Sequence, residues 1–104
     1  ASLRTLDPAL RPWAEALVEV ARQRGLRPIV TSAYRTMAQQ RVLYDRYIQG
    51  RSAYPAARPG YSTHEWRLAF DMVSSDNAQL GRIWRSWGGK WTPHDAVHFQ
   101  PHVR

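Results

Sequence analysis

The stretch STHEWRLAFDMV, Ser62 to Val73, decides the fold, because its second half carries the period of a strand. Within RLAFDMV, Leu68, Phe70 and Met72 alternate with Ala69, Asp71 and Val73. A strand over Arg67–Val73 would therefore set large apolar side chains on one face and Asp71, with small Ala69, on the other. His64 stands seven positions before Asp71, where the chain can bend and bring the imidazole back beside the carboxylate. A second short apolar run, VHFQ over Val97–Gln100, reads as another strand, and the overlapping segment DAVHF adds Asp95 and His98. Neighbouring strands would hold these side chains rigidly, as a chemical site requires.

His64, Asp71 and His98 are residue types that hold a catalytic zinc through three protein ligands and leave a fourth position for water. Asp95 is the nearby carboxylate such a water needs as a base. A His-to-Asp pair alone also arises by chance, and a histidine beside a strand is commonly a hydrogen-bonded structural residue. The second cluster, far along the chain, favours the metal reading.

Working outward, Asp7-Pro8 signals a helix start, but Pro12 would disturb a helix begun there. A short turn over Asp7–Leu10 is expected, then a helix from about Arg11. Trp13, Leu17, Val20 and Ala21, widened by Val18, form its apolar stripe, with Trp13 expected in the core rather than as a sugar-stacking surface; Gly25 stops it. Ile29, Val30 and Thr31 read as a strand whose end delivers Tyr34 and Arg35. Thr36 with Gln39 has the form of a capping box. It opens a helix over Met37–Gln49, with Met37, Val42, Leu43, Tyr44, Tyr47 and Ile48 as its apolar face and Gln40 exposed. Gly50–Thr63, with Pro55, Pro59 and Gly60, is a loop bordering a cleft, where Tyr54 and Tyr61 line the groove or merely cover the core edge. After a turn at Ser74–Asn77, Leu80, Ile83, Trp84 and Trp87 space a helix over Asn77–Trp87, ended by Gly88-Gly89. Trp91–His94 turns the chain toward Asp95; His94 is expected at the surface and His102 in a loosely held tail. This order predicts an α+β fold in which a small, mainly antiparallel sheet carries the site and about three helices pack against it.

A chain of 104 residues reads as one domain, 1–104, and five tryptophans with 43% hydrophobic residues argue against disorder. No run approaches the ~18 apolar residues that cross a bilayer, so a soluble chain is expected. With no cysteine, a disulfide framework and a thiolate zinc site are both excluded. The first ten residues show no signal pattern, so a signal has been removed, the chain has been trimmed, or export takes another route. The net charge of +7 favours anionic polymers, either nucleic acid or the anionic polymers of a bacterial envelope. The arginines are scattered and no nucleic-acid motif accompanies them, which argues against nucleic acid.

SAYRT (Ser32–Thr36), STHEWRLAFD (Ser62–Asp71) and WGGKWTPHDAVHF (Trp87–Phe99) together resemble the zinc peptidases that cut peptidoglycan stem peptides, the D-alanyl-D-alanine carboxypeptidase group. The closest likeness is to the L-alanyl-D-glutamate endopeptidase branch of phage endolysins, and it runs from about Leu6 to Gln100. The resemblance implies a Hedgehog/DD-peptidase-like fold, Zn2+ on His64, Asp71 and His98, and Asp95 as the catalytic carboxylate. It also implies Arg35 at the substrate's carbonyl or carboxylate oxygen and Ser62, beside Tyr61, helping to order the substrate site. The expected activity is zinc-dependent hydrolysis of an amide bond in the stem peptides, with the L-alanyl-D-glutamate bond first and the D-alanyl-D-alanine bond second. A non-catalytic, zinc-containing wall-binding module is a rival of another class. The partner would be bacterial peptidoglycan, reached as a monomer at the cell wall after secretion, in the periplasm or on phage lysis. One position departs from the family pattern: Arg67 stands where that pattern has glycine, which would add a long cation near the cleft.

Overall fold

The computed structural model describes residues 2–102. Three helices, α1 (Arg11–Gln23), α2 (Met37–Ile48) and α3 (Asn77–Ser86), alternate with four strands, β1 (Ile29–Ser32), β2 (Phe70–Val73), β3 (Gly89–Lys90) and β4 (His98–Pro101). Short 3-10 turns lie at Leu3–Thr5 and Pro93–Asp95. The sheet order is β1-β2-β4-β3, and every neighbouring pair is antiparallel. The α+β arrangement expected from the sequence is the one observed.

The β2–β4 pairing places core and site back to back. Phe70 lies opposite Phe99, and Asp71 lies opposite His98. Successive side chains on a strand point to opposite faces, so the first pair enters the core and the next pair emerges on the other side. In the core Phe70 and Phe99 stack at 5.4 Å between centroids, and Trp84 of α3 meets both edge-on at 5.6 and 6.1 Å. Leu6, Leu10, Ala14, Leu17, Met72 and Leu80 complete this buried layer.

Four expectations need correction. The strand expected over Arg67–Val73 begins only at Phe70. Arg67 takes a left-handed φ of 63°, and its N–H and that of Leu68 close a turn on the carbonyls of His64 and Thr63. Trp13 is 53% exposed rather than core. The buried stripe of α1 is Ala14, Leu17, Val18 and Ala21, so Trp13 lies on its flank, 6.2 Å from Trp87. The apolar face expected on α2 is largely at the surface, with Met37, Val42, Tyr47 and Ile48 exposed. Its apolar residues are spread around the helix, and its one buried side chain is Gln40, which was expected to be exposed. The Thr36–Gln39 capping box is present. The two-residue β3, too short to leave a sequence period, went unanticipated.

Among the described residues no helix is long and apolar enough to cross a membrane. His94 and His102 are both exposed, and positions 103 and 104 of the expected tail lie outside the described residues.

Candidate metal centre

β2 and β4 deliver Asp71 and His98 as direct cross-strand partners, and the turn before β2 folds His64 back over them. His64 Nε2 lies 3.2 Å, and His98 Nδ1 3.4 Å, from the same atom, Asp71 Oδ1. One ligand atom from each of the three residues lies within 4.8 Å of the other two. His64 is buried; Asp71 and His98 are partly open to solvent.

The hydrogen bonds behind the ligands fix which nitrogen carries a proton. His64 Nδ1 lies 2.9 Å from the Ala33 carbonyl, which can only accept, so Nδ1 holds the hydrogen and Nε2 turns a lone pair toward Asp71. Gln100 gives its amide N–H to the Pro101 carbonyl, and this orients its Oε1 to accept from Thr63 and, at 2.6 Å, from His98 Nε2. His98 Nδ1 then also faces Asp71 with a lone pair. Three Lewis-basic atoms converge, and only protons or a cation can satisfy them together. With two imidazoles and a carboxylate backed by such partners, the donor set fits zinc. The electrostatics agree. Burial raises the Asp71 carboxyl, but in the metal-free site protonation of the facing histidine nitrogens lets both rings donate to it, which outweighs burial and holds the group well below the usual carboxylate range. Burial likewise lowers His98, yet Asp71, Gln100 and the charge of Asp95 raise it above its ordinary value.

Arg35 follows the end of β1, and its guanidinium reaches 3.6 Å from Asp71 Oδ2 while donating to Gln40 and Ser32. Burial lowers its pKa, against the opposing pull of Asp71 and Glu65. Asp95 closes the 3-10 turn ahead of β4, exposed, and close enough for its charge to act on His98. Ser62 is buried, and its Oγ accepts from the His64 backbone N–H, so its direct contact is with the ligand loop. Tyr61 is 73% exposed on that loop.

Sequence reasoning missed three supporting side chains. Gln100 stands two residues after His98 on one strand face, a spacing that could have flagged it. Glu65 accepts from the Gly60 and Ser62 N–H groups and ties the loop, and the S-x-x-E spacing of Ser62 and Glu65 was its signal. Gln40 holds Arg35. Arg67, expected near the cleft, turns to the Thr5 carbonyl and the Tyr34 ring instead.

Two imidazoles and a carboxylate form a donor set of the kind a catalytic zinc takes, and the family match makes the chain a zinc metallopeptidase acting on peptidoglycan. Residues 4–100 match the family model of VanY, D-alanyl-D-alanine carboxypeptidase, and the chain belongs to that family. Among solved structures it is similar to a vancomycin-resistance D,D-pentapeptidase VanY from a VanB-type cassette in complex with Zn(II). The identity there is 22% and the TM-score 0.73, over 92% of this chain and 72% of that one. It is similar also to the LD-carboxypeptidase LdcB, at 21% identity and TM-score 0.72 over 93% of this chain and 65% of that one. The L,D-carboxypeptidase DacB from Streptococcus pneumoniae gives 21% and 0.71, over 93% and 66%. No curated protein is matched by the sequence.

Proposed function

We propose that residues 1–104 form one catalytic domain that hydrolyses the L-alanyl-D-glutamate bond of peptidoglycan stem peptides, with His64, Asp71 and His98 holding zinc. The observation that carries the metal-dependent reading is the convergence of two imidazole lone pairs on Asp71 within 4.8 Å. When bound, zinc supplies Lewis-acid polarisation of the scissile carbonyl and makes a water acidic near neutral pH. Asp95 takes the proton of the attacking water and hands it to the leaving amine. Arg35, held by Gln40 and Ser32, donates to the oxygen on which negative charge develops. Tyr61 and the loop ordered by Ser62 border the substrate. The net charge of +7 supports attraction to anionic envelope polymers, and we infer a monomer working at the cell wall.

The aspartate at 95 in DAVHF and the WGGKW run support the endopeptidase bond. The match to a D-alanyl-D-alanine carboxypeptidase family favours a second reading, removal of the terminal D-alanine. Digestion of purified peptidoglycan followed by mass spectrometry separates them: a new D-glutamate amine supports the first, and free D-alanine establishes the second. In either case Asp95→Asn is expected to lower kcat by about 10²–10⁴-fold while zinc content stays equal to wild type. An unchanged rate would remove Asp95 from the chemistry, and no cleavage by either protein would favour the binding module.

A further inference from the structure

We propose that Arg67 is a positioning residue for the metal centre. From its left-handed backbone position it clamps Tyr34 against the N-terminal turn, and so fixes the Ala33–Arg35 segment on which both His64 and Arg35 depend. The inference rests on the reading of His64 as a ligand and Arg35 as a substrate group.

Arg67 follows His64 by three residues, and its backbone N–H returns to the His64 carbonyl at 3.3 Å. Its own carbonyl accepts from the Asp7 N–H at 2.9 Å. The φ of 63° is uncommon for a residue with a side chain, and contacts on both sides hold it there. The guanidinium donates to the Thr5 carbonyl at 2.9 Å and lies 3.9 Å above the centre of the Tyr34 ring, within cation–π range. Thr5 completes the clasp by accepting the Tyr34 N–H on its hydroxyl.

Tyr34 sits between the two residues that matter. The Ala33 carbonyl on one side takes the Nδ1 proton of His64 and thereby aims Nε2 at Asp71. On the other side Arg35 donates its N–H to the His64 carbonyl and sends its guanidinium to Asp71. A shift of Tyr34 would move the acceptor that sets a ligand's tautomer and the backbone that carries the oxyanion donor. The clasp holds these from behind, with Arg67 touching neither ion nor substrate.

The test compares Arg67→Gly, Arg67→Lys, Tyr34→Leu and Tyr34→Phe with wild type, reading zinc affinity by competition with a chromogenic chelator, Tm, and kcat and KM on peptidoglycan. Arg67→Gly relieves the backbone while removing the clamp, so Tm is expected to hold while zinc affinity and kcat each fall about threefold to tenfold. That lies at the low end for partners behind a metal ligand, because Arg67 acts one contact further out. Tyr34→Leu should fall likewise. Arg67→Lys, which keeps a cation for the ring, and Tyr34→Phe, which keeps the ring, should recover most of the loss. Wild-type affinity and kcat in both Arg67→Gly and Tyr34→Leu would overturn the proposal, as would losses that merely track Tm without recovery in the conservative variants. A wild-type protein that binds zinc but cleaves no wall bond would sink the substrate reading, while the ranking of zinc affinities would still decide the role of Arg67.

Discussion

Gln40 commits both ends of its amide: Oε1 accepts from Arg35 at 2.8 Å and Nε2 donates to the Ala57 carbonyl at 2.7 Å. At 1% exposure no water replaces either bond. Gln40→Leu keeps the volume but leaves one edge of the mostly buried Arg35 guanidinium, and the Ala57 carbonyl, without this partner. An unmade bond to a buried group costs about 1–3 kcal/mol, more than the small gain from removing the amide. The variant should therefore lose about 1–3 kcal/mol in urea denaturation and also show a lowered kcat. Full retention of both would mean that the amide anchors nothing. At this scale the candidate ligands were legible and their supports were not. His64, Asp71, Asp95 and His98 announce themselves by chemical type, whereas Gln40 is polar on a helix and becomes meaningful only once Arg35 and the loop carbonyl of Ala57 meet it in space.

Helix α3 shows how packing overrides local preference. Gly81 lies inside it, buried, where alanine would improve helix propensity by about 1 kcal/mol. The Trp91 ring fills the space that a Cβ would occupy. That ring cannot easily retreat, since Trp91 Nε1 donates to the Ala96 carbonyl and its own carbonyl accepts from Arg85. Overpacking of this kind costs about 1–3 kcal/mol or more, so Gly81→Ala should lower rather than raise the thermal midpoint, and a rise would show that the tryptophan yields. The helices and three of the strands could be read from the sequence because caps, glycine stops and alternation are local signals. What escaped was set by distant partners. The left-handed turn at Arg67 delays β2 to Phe70, β3 is defined only by pairing with β4, and the apolar residues of α2 have no single face. Trp13 has helical spacing with Leu17, but Ala14 takes the core-facing place.

Across the whole molecule, the centre joins segments that lie far apart in the chain, so occupying it should stabilise the fold at large. A ligand bound only by the folded state adds about 2.7 kcal/mol at a hundredfold excess over Kd, and each kcal/mol moves the midpoint of a chain this size by roughly 4–8 °C. Thermal unfolding with zinc should thus run on the order of 10 °C above unfolding with EDTA. The pH dependence follows from His98. Its folded pKa is raised above 6.5, so in the metal-free protein its stabilising contribution is fully present below 6.5 and lost as pH rises through the folded value. Asp71 is held low and stays ionised over this whole range. Zinc needs the deprotonated imidazole, so its binding strengthens over the same interval in which the metal-free fold weakens. The gap between zinc and EDTA midpoints should therefore widen from about pH 5.5 to about pH 8, and it should vanish at both in His98→Gln. A gap of constant size would show that the His98 proton does not compete with the metal, and no gap in the wild-type protein would show that the three side chains do not hold zinc.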